Sequence, residues 1–150
     1  MNDTKLKGLP VLAIHQGSPW VNNIQDNYTG CLTSKYGTKY WYQDSKLHRL
    51  DGPAWEGANG NKEWYQDGEL HRLDGPAIEQ ANGSKWWYQD GKQHRVDGPA
   101  IEDVDGSKIW YQDGELHRLD GAAIEWDNGY KEWWIRDKQI TKQTRIVCLR

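Results

Sequence analysis

The sequence predicts an all-β repeat protein: an elongated, solenoid-like sheet of stacked antiparallel β-hairpins built from 23-residue units. Three observations carry that prediction. The segment "HRLDGPA" at His71 recurs, with small changes, at His48, His94 and His117, always 23 residues apart. Pairs such as Asn82-Gly83 and Asp90-Gly91 punctuate the units, and such pairs between runs of strand-forming residues mark tight hairpin turns. Gly-Pro or paired turn residues also interrupt each stretch before three helical turns accumulate, so helix content near zero is expected.

The elements follow in chain order. Residues 1–38 are expected to form an N-terminal cap that contains a partial unit, because "GCLTSKYGT" from Gly30 aligns with "PAWEGANGN" from Pro53 and sets Gly37 where Gly60 stands. Residues 39–140 hold four full units, beginning at Lys39, Lys62, Lys85 and Lys108, and a partial fifth that opens as "KEWWIRDKQI". Residues 141–150 form a basic tail expected to cap the far end, where "TRIVCL" is strand-like, since terminal units must cover the open ends of a stack. Within a unit, a two-residue turn at Asn82-Gly83 would set Glu79 opposite Trp86 and Ile78 opposite Trp87. That pairing predicts one hairpin per unit, with Ile78 and Trp87 on the core face and Ala77, Glu79, Trp86 and Tyr88 on the other.

Composition bounds the core and the compartment. Hydrophobic residues make up 36% of the chain and mean hydropathy is −1.01, so the core should be thin. Ten Trp and eight Tyr with no Phe mean that large aromatics with polar handles supply most of the burial. Lys5 and Lys7 before "GLPVLAI" look faintly like a signal peptide, but the apolar run is short and lacks a small-residue cleavage site. Cys31 and Cys148 are too few for a disulfide scaffold, and the chain reads as cytoplasmic. Their predicted distance apart in an extended stack also excludes an intrachain bond.

The 23-residue period, "YQDGELH" followed by "DG", and the aromatic hairpin ending in "NGS" together resemble MORN repeats, over roughly residues 30 to 140. The H-R-x-D-G-P-A version is similar to a variant found in uncharacterised phage, giant-virus and bacterial proteins. Arg72 stands where the MORN pattern has Gly, and Pro76-Ala77 replaces its later Gly-x-Gly. The resemblance implies stacked hairpins in a curved sheet and a binding role, to proteins or in some members lipid, without catalysis.

Four copies of an H-R-x-D cluster argue against chemistry, which needs its groups once per site. His48, His71, His94 and His117, with Arg72, Asp74 and their equivalents, are expected mainly to tie loops together, Arg forking onto carboxylates or carbonyls and Asp closing a turn. A ladder of ligand-binding histidines and a general base in one copy are the other two readings. "DVDGS" at Asp103 resembles the start of a calcium loop, but the matching positions read "QANGS" and "WDNGY", so it is expected to be a turn. No zinc spacing, phosphate loop or nucleophile elbow is present; neither metal nor cofactor is expected.

Columns that vary between units are where function can differ. The position before each repeat Trp reads Tyr40, Glu63, Trp86, Ile109 and Glu132, on the same predicted face as Tyr42, Tyr65, Tyr88, Tyr111 and Trp134. Tyr40, Tyr42, Tyr65, Trp86, Tyr88, Ile109, Tyr111 and Trp134 are therefore the candidate partner-binding residues, rigid aromatic anchors with a polar rim; the alternative is that the tyrosines stack only to stabilise a single-layered sheet. Residues 131–150 carry six Lys or Arg against two acidic residues, whereas 1–130 carry 13 against 20. The acidic body disfavours nucleic acid and anionic membrane, and sheet edges or the basic tail offer a route to a homodimer. The expected function is a non-catalytic scaffold binding a partner protein, as a phage or bacterial inhibitor or antitoxin-like binder would; the alternative is small-molecule sequestration by the aromatic face and histidine loops.

Overall fold

The computed structural model describes residues 27–141, and every regular element among them is a β-strand. Residues 1–26 of the expected cap and all of the expected tail beyond Thr141, including Cys148, lie outside the described residues. In chain order the strands are β1 (Gly30–Thr33), β2 (Lys39–Gln43), β3 (Lys46–Leu47), β4 (Trp55–Glu56), β5 (Lys62–Glu63), β6 (Tyr65–Gln66), β7 (Glu69–Leu70), β8 (Ile78–Glu79), β9 (Lys85–Trp86) and β10 (Tyr88–Gln89). They continue with β11 (Lys92–Gln93), β12 (Ile101–Glu102), β13 (Lys108–Ile109), β14 (Tyr111–Gln112), β15 (Glu115–Leu116), β16 (Ile124–Glu125), β17 (Lys131–Glu132), β18 (Trp134–Ile135) and β19 (Lys138–Gln139). The long sheet runs β1-β2-β4-β5-β8-β9-β12-β13-β16-β17, with β3 added beside β2. All its pairings are antiparallel, and the path has two ends, so it is an open stack of hairpins and not a barrel.

Each unit holds two hairpins, where the sequence suggested one. The first is β8-β9 and its equivalents. The second is β10-β11, whose Asp90-Gly91 turn has positive φ at both residues (48° and 72°), as a type I′ two-residue connection requires. The strand that serves both bends at Trp87. Its N–H donates to the Ala100 carbonyl at 2.8 Å in the long sheet, and its carbonyl accepts from His94 N–H at 3.1 Å in the second hairpin.

The Asn-Gly turn corrects the expected pairing. Gly83 N–H donates to the Gln80 carbonyl and Gln80 N–H to the Ser84 carbonyl, both at 2.9 Å. Only Gly83 has positive φ, 101°. This is a type I turn followed by a left-handed glycine, a three-residue loop. Asn82 acts through its side chain, Oδ1 accepting from Ser84 N–H at 2.9 Å, and not by adopting the left-handed conformation. The added loop residue moves Ile78 opposite Trp86 and Glu79 opposite Lys85. Directly opposed residues share a face, so Ile78 joins Trp86, while Trp87 lies on the side of Ala77 and Glu79. The expectation of Ile78 and Trp87 together in the core is therefore overturned.

The core is thin. Ala54, Ala77, Ala100 and Ala123 are fully buried, and Tyr42, Tyr65, Ile78 and Ile124 are the large side chains below a tenth exposed. Besides the continuous sheet, polar links repeated at the 23-residue interval join one unit to the next. At the hairpin tips, Asn61 Oδ1, Ser84 Oγ and Ser107 Oγ accept the N–H of Ala81, Val104 and Asp127 in the following unit at 2.9–3.1 Å. At the opposite end, Arg72 N–H donates to the Tyr88 carbonyl and Gly91 N–H to the Leu70 carbonyl. The link residues are replaced in the last unit: Tyr130 stands where Ser84 and Ser107 stand, Arg136 where Asp90 and Asp113 stand, and Ile140 where His117 stands.

Candidate functional site

The H-R-x-D-G-P-A loop folds around its arginine. Arg72 Nε donates to Asp74 Oδ1 at 2.8 Å, and Nη1 donates to the Pro76 carbonyl at 3.1 Å and to Glu79 Oε1 at 3.0 Å. The guanidinium also lies 4.0 Å over the Trp64 ring, a cation–π contact. Arg49, Arg95 and Arg118 repeat the arrangement over Trp41, Trp87 and Trp110. The glycine of the motif is explained by this packing, because a Cβ on Gly75 would sit 2.9 Å from Arg72 Cζ. The hydrogen bond and charge of Arg72 hold the Asp74 carboxyl below its usual pKa.

The histidines connect units. His71 Nδ1 lies 2.8 Å from Asp90 Oδ1 and 3.2 Å from Asp90 N, and His48 and His94 meet Asp67 and Asp113 in the same way. One Nδ1 serves one partner at a time: unprotonated it accepts from the backbone N–H, and protonated it donates to the carboxylate. Each Asp belongs to the next unit's type I′ turn, so the column joins turn to loop along the stack. His117 faces the column position occupied by Arg136 and ends the series. Among the described residues no group of three His, Cys, Asp or Glu side chains could hold a metal ion, and Asp103-Val-Asp-Gly-Ser107 is a hairpin turn closed by Gly106 N–H to the Asp103 carbonyl.

The aromatic columns share one face. Tyr40 stacks on Tyr42 with centroids 6.5 Å apart, Tyr65 Oη donates to Glu63 Oε2 at 2.7 Å, and Trp134 Nε1 donates to Glu132 Oε2 at 3.1 Å. Their exposure differs along the stack. Tyr42 and Tyr65 are buried, and burial is the main cause that pushes the Tyr42 hydroxyl up to about 12 and raises Tyr65, Tyr88 and Tyr111. Tyr40, Trp86, Tyr88, Ile109, Tyr111 and Trp134 are half-buried, and Trp86 is fixed by donating Nε1 to Asp103 Oδ1 at 3.1 Å.

No protein-family model matches the chain, and no curated protein matches it. The surface itself must supply the functional argument. One column absent from the expectations is prominent: Leu50, Leu73, Val96 and Leu119, the variable residue of H-R-x-D, are 75–78% exposed. The signal that would have revealed it is an apolar letter in all four copies at a position between Arg and Asp in a turn, where no strand period calls for one.

Proposed function

We propose that the chain is a non-catalytic repeat scaffold that binds a partner protein through its aromatic face. The observation that carries this reading is a variable column on a constant frame. Tyr40, Glu63, Trp86, Ile109 and Glu132 occupy equivalent half-buried positions on one face, while the loops and turns around them repeat the same hydrogen bonds. Large aromatics held rigidly by packing and by bonds such as Trp86 to Asp103 lose little entropy on binding, which suits them as anchors. The resemblance to MORN repeats supports the same class of function. Catalysis has no support in the loop clusters, where the Arg and Asp groups recur in four copies and satisfy one another.

The test is site-specific photocrosslinking in a lysate of the source cells. A photoreactive residue at position 86 or 109 should capture the same protein, and one at Lys85, on the opposite face, should not. Capture that is independent of face would overturn the assignment.

A further inference from the structure

We infer that the edge formed by the H-R-x-D-G-P-A loops is a second binding surface, separate from the aromatic face, which takes a basic peptide in the polyproline II conformation. Its motive is the column Leu50, Leu73, Val96 and Leu119, apolar in every copy and 75–78% exposed. Among the described residues burial gives no reason for an apolar residue there, since the fold uses its neighbours and leaves it exposed. Two pairs of successive loops also bound open clefts. The first and second loops bound one of about 630 Å³ lined by Trp64, Gln66 and Pro53, and the third and fourth bound one of about 510 Å³ lined by Trp110, Gln112 and Pro99.

Spacing selects the ligand's conformation. One unit contributes two strands to the long sheet, so the column advances about 9.4–9.8 Å per step. A polyproline II helix presents the same face every three residues, about 9.3 Å, and stays in step over four loops to within roughly 1–1.5 Å. A β-strand presents one face about every 6.8 Å. An α-helix repeats its face about every 10.5 Å over seven residues and drifts by roughly 2–3 Å across the same loops. The aromatic and proline lining is also the kind that polyproline II peptides dock against.

Charge selects its composition. Arg72 and Arg95 each meet two carboxylates, Asp74 with Glu79 and Asp97 with Glu102, at 2.8–3.0 Å. Lys62 and Lys85 stand directly opposite Glu79 and offset it, so the charge these loops present beside the apolar column is that of the Asp side chains, which are 83–84% exposed while the Arg is about one-fifth exposed. A second copy of this chain would bring Asp against Asp on this edge. The complementary occupant carries an apolar residue every third position and a Lys or Arg between.

Fluorescence anisotropy with two labelled 12-residue peptides of equal composition tests the assignment, one repeating Leu-Pro-Arg and the other carrying the same residues without a three-residue period. The periodic peptide should bind at least tenfold more tightly. Leu73→Asp combined with Val96→Asp should weaken it at least tenfold with an unchanged melting curve, and Trp86→Ala should leave it unaltered. Equal affinity for both peptides, no binding of either, or tighter binding of a helical peptide with a seven-residue apolar period overturns the inference. Loss of binding in Trp86→Ala with retention in the Leu73 and Val96 variant overturns it as well, and leaves the aromatic-face reading intact.

Discussion

A single guanidinium organises each loop. Arg72 bonds Asp74, Pro76 and Glu79 and covers Trp64, and Gly75 leaves it the space. Gly75→Ala should therefore cost about 1–2 kcal/mol by displacing the guanidinium from its hydrogen bonds and ring. In an Arg72→Ala background the same change should cost little, and a double-mutant cycle in thermal denaturation measures that coupling. Acid should act on the same cluster. The folded pKa of Asp51, Asp74, Asp97 and Asp120 is depressed by the paired Arg. Their contribution is thus complete above the ordinary carboxyl value of 3.8 and is lost as pH falls through the lower folded value. Asp74→Asn should lower the melting temperature at pH 7, and the gap from the unchanged protein should close towards pH 2. His94→Ala should lower the melting temperature by removing the link to Asp113, at a cost of about 1 kcal/mol because the freed carboxylate and N–H are open to water.

At the scale of the hairpin, the difference between a two-residue and a three-residue loop decides which tryptophan faces which way. Gly83 has open space around the position of a Cβ and φ of 101°, so Gly83→Ala should destabilise by about 1–2 kcal/mol from backbone strain alone. Gly83→Asn should cost less. Thermal melts of the two variants separate backbone strain from packing. The period, the turn positions and the absence of helix were legible because Gly, Asn and Asp mark turns whatever surrounds them. The pairing of Ile78 with Trp86 was not, because Asn-Gly is compatible with both loops and only the bond from Gly83 N–H to Gln80 distinguishes them. Tyr40, Trp86 and Tyr88 were still assigned to one face, since residues two apart on a strand share a side in either register. The Arg stack on Trp64 was legible only in part: Arg was expected to fork onto carboxylates, but the distance from Arg72 to Trp64 along the chain hides the ring beneath it.

The whole molecule behaves as a row of near-equivalent units with nearest-neighbour links. Removing residues 85–107 would set Ser84 against the tip at Asp127 and His71 against Asp113, preserving each kind of link. The shortened chain should remain all-β and melt cooperatively at a lower temperature, as circular dichroism would show. Removal of 22 residues instead should lower the melting temperature further, because the strand that spans the cut would be one residue out of step with its turns and would change the face of its side chains there. Length also forbids one crosslink. From β1, which holds Cys31, to β17 the long sheet spans nine strand spacings, about 43 Å, whereas the seven residues from Thr141 to Cys148 reach at most about 25 Å. Non-reducing mass analysis of oxidised, native protein should find no bond between Cys31 and Cys148 within one chain.

Tyr130, Arg136 and Ile140 replace the residues that join one unit to the next, and this has a genetic consequence. An in-frame duplication of any interior unit would be accepted at both of its junctions, whereas a copy of the last unit would present Tyr130 and Arg136 to a neighbour that needs a small hydroxyl and a carboxylate. A gene of this kind can lengthen or shorten its product from the middle by recombination between near-identical segments. The loop edge would then gain or lose one exposed leucine or valine with each event, changing how many contacts a bound chain makes without redesigning any of them.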